Sequence, residues 1–121
     1  MAADRMLFTT WGSPIPGREE RGLEVFNEAI GMYGRLQQEG RIDSFEVTLL
    51  DASGDIAGFI VARGSREQVA ALREDEEWLR NTIDASLVVE SLRVQEGFTG
   101  AEVARQVTMY QDAIAKVPQM A

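Results

Sequence analysis

The 121-residue sequence contains no cysteine and no histidine. It therefore has no disulfide, no thiolate nucleophile, none of the usual Cys/His zinc or haem ligands and no imidazole base. Twelve Lys and Arg residues against twenty Asp and Glu residues give a net charge of −8, which repels phosphate backbones and anionic membrane surfaces. We accordingly expect no metal, no other cofactor, no nucleic acid partner and no membrane partner.

Long apolar runs are also missing, and no stretch approaches the length that a bilayer-spanning helix needs. The apolar run at residues 6–8 is followed too soon by Thr9, Thr10 and Gly12 to serve as a secretory signal. Cytoplasmic localisation is therefore the default expectation. The composition, 45% apolar and 26% charged, is that of an ordinary globular protein, and we expect one domain over residues 1–121.

Periodicity and turn residues predict an order of strand, helix, strand, strand, helix, strand and helix. The strands are expected at residues 6–11, 42–50, 56–62 and 92–98, and the helices at 18–39, from 65 onward and from 99 onward. Capping boxes are predicted at Ser65–Gln68 and Thr99–Glu102. Two alternatives stay open: the acidic residues 75–77 either continue the second helix or divide it, and its end near residues 83–91 is undetermined.

This order is that of a split βαβ arrangement, which places both main helices on one face of a four-stranded antiparallel sheet. The predicted class is therefore α+β, a ferredoxin-like βαββαβ domain with an added C-terminal helix. The predicted third strand is apolar on both faces, so the sheet face without helices would expose more apolar surface than a soluble monomer usually tolerates. A homodimer is the simplest way to cover it.

The C-terminal helix carries apolar residues at alternating spacings of four and three, namely Val103, Val107, Tyr110, Ile114 and Val117. One interpretation is a helix lying on its own sheet. The other is a contact with a second subunit, although two heptads are fewer than a coiled coil requires.

The element order, the hairpin at residues 42–62 and the strand-to-helix passage Val94–Gly100 resemble those of the dimeric α+β barrel superfamily. Its antibiotic-biosynthesis monooxygenase-like, YCII-related and EthD-like groups pair two such sheets face to face. The resemblance implies a pocket between the helices and the sheet or inside the barrel. The histidine that YCII-related and haem-degrading members use has no counterpart here, and fold-level analogy alone says little about activity.

Candidate polar site residues lie on the predicted strands. Glu46 and Thr48 share one face of the second strand, where an enclosed Glu46 would act as a general base; alternatively both are solvated residues of an edge strand. Arg63 and Arg93 have the planar donor geometry that binds a carboxylate. Ion pairs at the ends of strands are the alternative for both arginines.

Candidate aromatic site residues are Trp11, Tyr33 and Trp78, which could form a wall for a planar ligand. Core packing is the alternative explanation for all three.

Three functions remain open at this stage. The first is a homodimer that binds a small molecule. The second is a cofactor-independent monooxygenase or isomerase acting on an aromatic or polyketide-like substrate, with Glu46 as the base and Arg63 or Arg93 holding an acidic group. The third is a structural dimerisation module.

Overall fold

The computed structural model describes residues 2–120. Four strands and four helices follow one another along the chain. They are β1 (Arg5–Trp11), α1 (Glu19–Gln38), β2 (Ser44–Leu49), β3 (Gly58–Gly64), α2 (Arg66–Glu74), α3 (Glu76–Ser86), β4 (Arg93–Phe98) and α4 (Ala101–Ile114). The predicted order of elements is confirmed, with the second predicted helix divided into α2 and α3.

The strands form one sheet in the order β2-β3-β1-β4, and every pairing is antiparallel. The hairpin joins the neighbouring strands β2 and β3, whereas the helical crossovers join β1 to β2 and β3 to β4, each passing over one intervening strand. The hairpin closes where the Leu50 N–H donates to the Ala57 carbonyl at 2.8 Å. As predicted, β2 lies at an edge and β3 lies inside the sheet.

The register divides the side chains between two faces. Leu7, Ile60 and Ala62 are buried against α1, α2 and α3 together with the partly buried Phe45 and Val47. We call this side the helix face. Alternation along each strand puts a second set on the opposite side, the open face, which comprises Met6, Phe8, Thr10, Ser44, Glu46, Thr48, Phe59, Val61, Arg63, Arg93 and Gln95.

The apolar stripe of α1 differs from the predicted one. The helical spacing of apolar residues predicts a stripe of Leu23, Phe26, Ile30, Tyr33 and Leu36. The buried residues are instead Val25, Ala29, Met32, Tyr33 and Leu36, and Leu23 is largely exposed. The helix α1 is rotated about its own axis relative to the predicted orientation. The reason is that α3 packs beside it, so one flank of α1 contacts α3 as well as the sheet.

Asp75 separates α2 from α3. Its backbone is extended (φ −68°, ψ 128°), and its carboxylate accepts a hydrogen bond from the Trp78 N–H at 3.0 Å. A side chain that caps the following helix in this way favours a new helix start over continuation. The spacing of Val69, Leu72, Leu79 and Ile83 predicts one continuous apolar face. The break at Asp75 divides it, so that Trp78 is buried while Leu79 and Ile83 are exposed.

One predicted capping box is confirmed and the other is wrong. At the start of α2, Ser65 and Gln68 exchange both reciprocal hydrogen bonds. At the start of α4, Gly100 (φ 57°) is the N-cap and makes no side-chain hydrogen bond. The Glu102 carboxylate, expected to complete that box, instead lies 3.5 Å from Arg5 and accepts a hydrogen bond from Arg105 at 2.7 Å.

The helix α4 leaves the body of the protein after its first turn. Of its residues, all of which the structure describes, only Glu102 is buried. Tyr110 is 68% exposed, and Val103, Val107 and Ile114 are exposed beside it. The interpretation that this helix lies on its own sheet is therefore wrong.

Within residues 2–120, no helix combines the length and apolar character needed to span a membrane.

Candidate functional site

A cavity of about 290 Å³ lies between the helix face of the sheet, α1, α3 and the segment that follows α3. We call it the helix-face cavity. Most of its lining is apolar, including Trp11, Leu23, Val25, Phe26, Ile60 and Val88. Apolar walls with a few polar groups are typical of small-molecule sites, and this volume is at the lower end of their usual range.

The Trp11 indole forms one wall because the neighbouring strand has no side chain at the facing position. Trp11 pairs with Gly58 across the sheet, and a Cβ atom at Gly58 would lie only 2.8 Å from Trp11 Cζ2. The Trp11 and Phe26 rings meet edge to face, with their centroids 5.9 Å apart. Gly58 thus gives the two aromatic residues the space in which they form this corner of the cavity.

Three polar side chains line the cavity. They are Thr9 on β1, Glu19 in the first turn of α1 and Asn81 on α3. The Asn81 Nδ2 donates to the Val25 carbonyl at 3.3 Å, which orients the amide and leaves its Oδ1 as an acceptor. The polar part of the lining can therefore fix the orientation of an otherwise apolar ligand.

Tyr33 and Trp78 lie in the core, away from this lining. The Trp78 Nε1–H donates to the Tyr33 Oη at 3.0 Å, and both residues are buried. Burial raises the pKa of the Tyr33 hydroxyl, and its hydrogen bonds with Trp78 and Thr9 act in the opposite direction. The expected aromatic wall of Trp11, Tyr33 and Trp78 is not formed, because only Trp11 reaches the cavity.

The other candidate residues occupy the open face. Arg63 lies 3.6 Å from Glu46, and the Glu46 side chain is 55% exposed. Thr48 is partly buried on the same face of β2. Arg93 is exposed on β4, two strands away from Arg63. The structure therefore pairs Glu46 with Arg63 but does not bring either residue to the helix-face cavity.

Sequence reasoning missed several residues of the cavity. Phe26 was assigned to the core stripe of α1, and Glu19, Asn81 and Val88 were not singled out. Their positions in the chain give no common pattern because the lining comes from five separate elements, β1, α1, β2, β3 and α3, and from two loops. The available signal was the small residue Gly22 beside Leu23 and Phe26, since a side chain missing from a helix leaves space beside its neighbours.

No protein-family model matches the chain, and no curated protein matches it. Solved structures do. A dimeric ferredoxin-like protein of unknown function from Jannaschia sp. CCS1 is 11% identical, and the match covers 77% of this chain and 97% of that one at a TM-score of 0.59. An ethyl tert-butyl ether D (EthD) family protein from Bacillus halodurans C-125 is 13% identical, with 80% and 99% covered at a TM-score of 0.59. SnoaB, a cofactor-independent oxygenase from Streptomyces nogalater, is 16% identical, with 82% and 94% covered at a TM-score of 0.52.

This chain has the ferredoxin-like fold. The likeness covers the sheet and its helices at identities of 11–16%, a level at which only the fold is shared with certainty. The fold itself hosts unrelated functions, so activity must be argued from the residues of the helix-face cavity.

Proposed function

We propose that this protein is a homodimer that binds a small, largely apolar molecule in the helix-face cavity. The observation that carries the proposal is the cavity itself, an apolar space of about 290 Å³ with Trp11 and Phe26 at one corner and Asn81 in its wall. The cavity is partly open to solvent, with the exposed Leu23 and Leu49 in its lining, and a concave, mostly apolar lining is typical of small-molecule sites. Space of this kind, kept open beside aromatic side chains, favours ligand binding over a purely structural module.

The open face supports the homodimer. Phe8 and Phe59 pack there at a tilt of 45° with ring centroids 5.4 Å apart, and Met6 and the buried Val61 lie beside them. A contiguous apolar surface at the centre of a sheet is typical of a subunit interface. Dimeric proteins with this fold, such as the one from Jannaschia, are consistent with two open faces that meet in one interface.

The exposed stripe of α4 supports the same assembly. Val103, Val107, Tyr110 and Ile114 lie along one side of the helix, with Arg105 and Asp112 on the other. A helix of 14 residues is marginally stable in water without a packing partner. We therefore place this stripe, predicted as a possible subunit contact, against the second copy of the chain.

The enzyme alternative has less support. Its base, Glu46, is an exposed residue of an edge strand that pairs with Arg63, and neither residue lines the helix-face cavity. A dimer that encloses the open face would bring this pair into the interface. Replacing Glu46 by Gln would test the alternative directly, since loss of turnover with unchanged stability would restore it.

Ligand binding is tested with a variant that fills the cavity. Ala85 lines it from α3, so Ala85→Leu adds a side chain where the ligand would lie. The matched control is Ala70→Leu, because Ala70 is exposed on α2. Titration with 2-naphthol, followed by isothermal calorimetry, should give saturable binding to the wild type and the control, and at least tenfold weaker binding to Ala85→Leu. Equal binding by all three proteins would refute the cavity as the site.

The dimer is tested by mass in solution. Phe59→Glu places a carboxylate at the centre of the open face, where an unpaired buried charge costs about 3–5 kcal/mol, so the dissociation constant should rise at least a hundredfold. Ile83→Glu adds the same charge at an exposed position of α3 and should leave the dimer intact. If sedimentation equilibrium shows that the wild type is a monomer at micromolar concentration, the proposed homodimer is contradicted.

The role of α4 is tested by a second matched pair. Tyr110→Asp puts a charge into the exposed stripe, whereas Thr108→Asp puts the same charge on the polar side of the helix. Only Tyr110→Asp should weaken the dimer. Equal effects of the two substitutions would show that the stripe makes no subunit contact.

A further inference from the structure

We propose that the helix-face cavity accepts uncharged or cationic ring compounds and discriminates against anionic ones of the same size. This inference rests on the proposed function, since it assigns the ligand class of the same cavity. It follows from the charges on the cavity lining, from the state of the nearest arginines and from the hydrogen-bonding capacity of the polar lining groups.

The lining carries one sign of charge. Among its residues, which all belong to the described part of the chain, Glu19 is the only acidic one, and it is exposed. No lysine or arginine is among them. A carboxylate or phosphate on the ligand would therefore meet a like charge and no opposite one, and because Glu19 is exposed this repulsion should weaken as salt is added.

The arginines nearest in sequence to Glu19 are already engaged elsewhere. The Arg18 guanidinium donates to the Leu87 carbonyl at 2.6 Å. Arg21 contacts Glu24, Glu28 and Asp84 at 3.0–3.3 Å. An anionic ligand would have to displace one of these partners before it could use either arginine.

The polar side chains of the lining favour ligands that donate hydrogen bonds. The Glu19 carboxylate accepts only. Asn81 uses one of its two Nδ2 hydrogens on the Val25 carbonyl, so its oxygen accepts and one N–H can still donate. A hydroxyl or an ammonium group on the ligand can satisfy both acceptors, whereas a carboxylate can use only that one Asn81 N–H.

One feature acts in the opposite direction. The N-terminus of α1 lies beside Glu19, and the N-cap residue Arg18 makes no side-chain capping bond, so free backbone N–H groups there would attract an anion. The first turn already holds two carboxylates, Glu19 and Glu20, which offset that attraction. Calorimetric titration measures the net result of the attraction by the helix N-terminus and the repulsion by the two carboxylates.

The size of the cavity sets the probes. At roughly 30 Å³ per water molecule, about 290 Å³ corresponds to a ligand of about two fused rings with one small substituent. Three naphthalene derivatives match this size and carry one small substituent of different charge on the same ring system: 2-naphthoate is anionic, 2-naphthol is uncharged, and 2-naphthylmethylamine is cationic at pH 7.

The test is calorimetric titration of the wild-type protein with all three compounds at pH 7 and one fixed salt concentration. We expect the alcohol and the amine to bind, and the amine to bind at least tenfold more tightly than the carboxylate. Glu19→Gln should bring that ratio to within about threefold. The matched control is Glu20→Gln, which removes the same charge from the neighbouring residue, which does not line the cavity, and should keep the wild-type ratio.

The outcomes separate the two proposals. If 2-naphthoate binds as tightly as the amine or more tightly, the charge preference is wrong, while the cavity remains a binding site. If Glu20→Gln lowers the ratio as much as Glu19→Gln, the preference comes from the overall net charge and the assignment to the cavity lining is overturned. If none of the three compounds binds, the proposed function itself fails.

Discussion

Asp75 lies at the boundary between α2 and α3. Replacing it separates two contributions to the stability of the protein, the helix cap and the ion pair with Arg41. The carboxylate caps α3 through the Trp78 N–H at 3.0 Å and also accepts a hydrogen bond from Arg41 at 2.6 Å. Asp75→Ala removes both interactions. Asp75→Asn keeps a side chain that caps a helix as well as aspartate does and removes only the charge.

The expected costs follow from these two contacts. Loss of an N-cap costs about 1 kcal/mol. The ion pair adds about 0–1 kcal/mol, because the Arg41 side chain is 46% exposed and solvent weakens such pairs. Asp75→Ala should therefore lower the free energy of unfolding by about 1–2 kcal/mol, and Asp75→Asn by less than about 1 kcal/mol.

The pH dependence gives an independent check. The hydrogen bond from Arg41 and that from the Trp78 N–H lower the pKa of the Asp75 carboxyl. A lowered pKa in the folded state stabilises the protein at pH values above the unfolded-state value, near 3.9, and that stabilisation is lost as the pH falls through the folded-state value. The wild type and Asp75→Asn should therefore become closer in stability below about pH 3.

The assay is urea denaturation followed by far-UV circular dichroism, at one protein concentration because dimerisation would affect the transition. The reasoning would be refuted if Asp75→Asn and Asp75→Ala cost the same, or if the wild type and Asp75→Asn kept a constant difference in stability from pH 7 to about pH 2. Because Asn81 and Ala85 of α3 line the helix-face cavity, Asp75→Ala should also weaken 2-naphthol binding.

The remaining predictions concern glycines and the buried hydrogen bond. Gly34→Ala should raise the stability by about 0.5–1 kcal/mol in urea denaturation, because a Cβ at this helical position has no neighbour within 4 Å; destabilisation would show an unrecognised contact. Gly58→Ala should lower it by at least about 1–3 kcal/mol and weaken 2-naphthol binding, because the new Cβ would lie 2.7 Å from the Thr48 backbone oxygen and 2.8 Å from Trp11 Cζ2; unchanged binding would contradict that role for Gly58. Tyr33→Phe should cost about 1–3 kcal/mol by leaving the Trp78 Nε1–H without an acceptor. Burial raises the pKa of Tyr33, so its stabilisation is complete below pH 10 and is lost at higher pH, and the wild type should lose stability above pH 10 more steeply than Tyr33→Phe.

The element order was predictable because local patterns determine it. The alternation of Phe45 and Val47 with Glu46 and Thr48 placed β2 correctly, and the Ser65 capping box marked the start of α2. The wrong predictions concern residues whose partners are distant in sequence. Glu102 has the spacing of a capping box with Thr99 but is drawn to Arg5, a residue almost a hundred positions away.

The candidate site was less predictable, because face and register decide it. Trp11 and Arg63 both follow from strand patterns, yet the register places them on opposite faces of the sheet. Tyr33 and Trp78 are hydrogen-bonded to each other in the core. The sequence around either residue does not indicate this pairing. The sequence did indicate that β3 is apolar on both faces. Its Ile60 and Ala62 contribute to the core, and its Phe59 and Val61 contribute to the open face.

The most direct test of the account is the response of the two indole N–H signals to a ligand. The protein has two tryptophans, one at the helix-face cavity and one in the core, and Trp78→Phe assigns their signals in a ¹⁵N-correlation spectrum. Saturation with 2-naphthol should shift the Trp11 signal strongly and leave the Trp78 signal nearly unchanged. An unchanged Trp11 signal at saturation, or a shift confined to Trp78, would contradict ligand binding in the helix-face cavity.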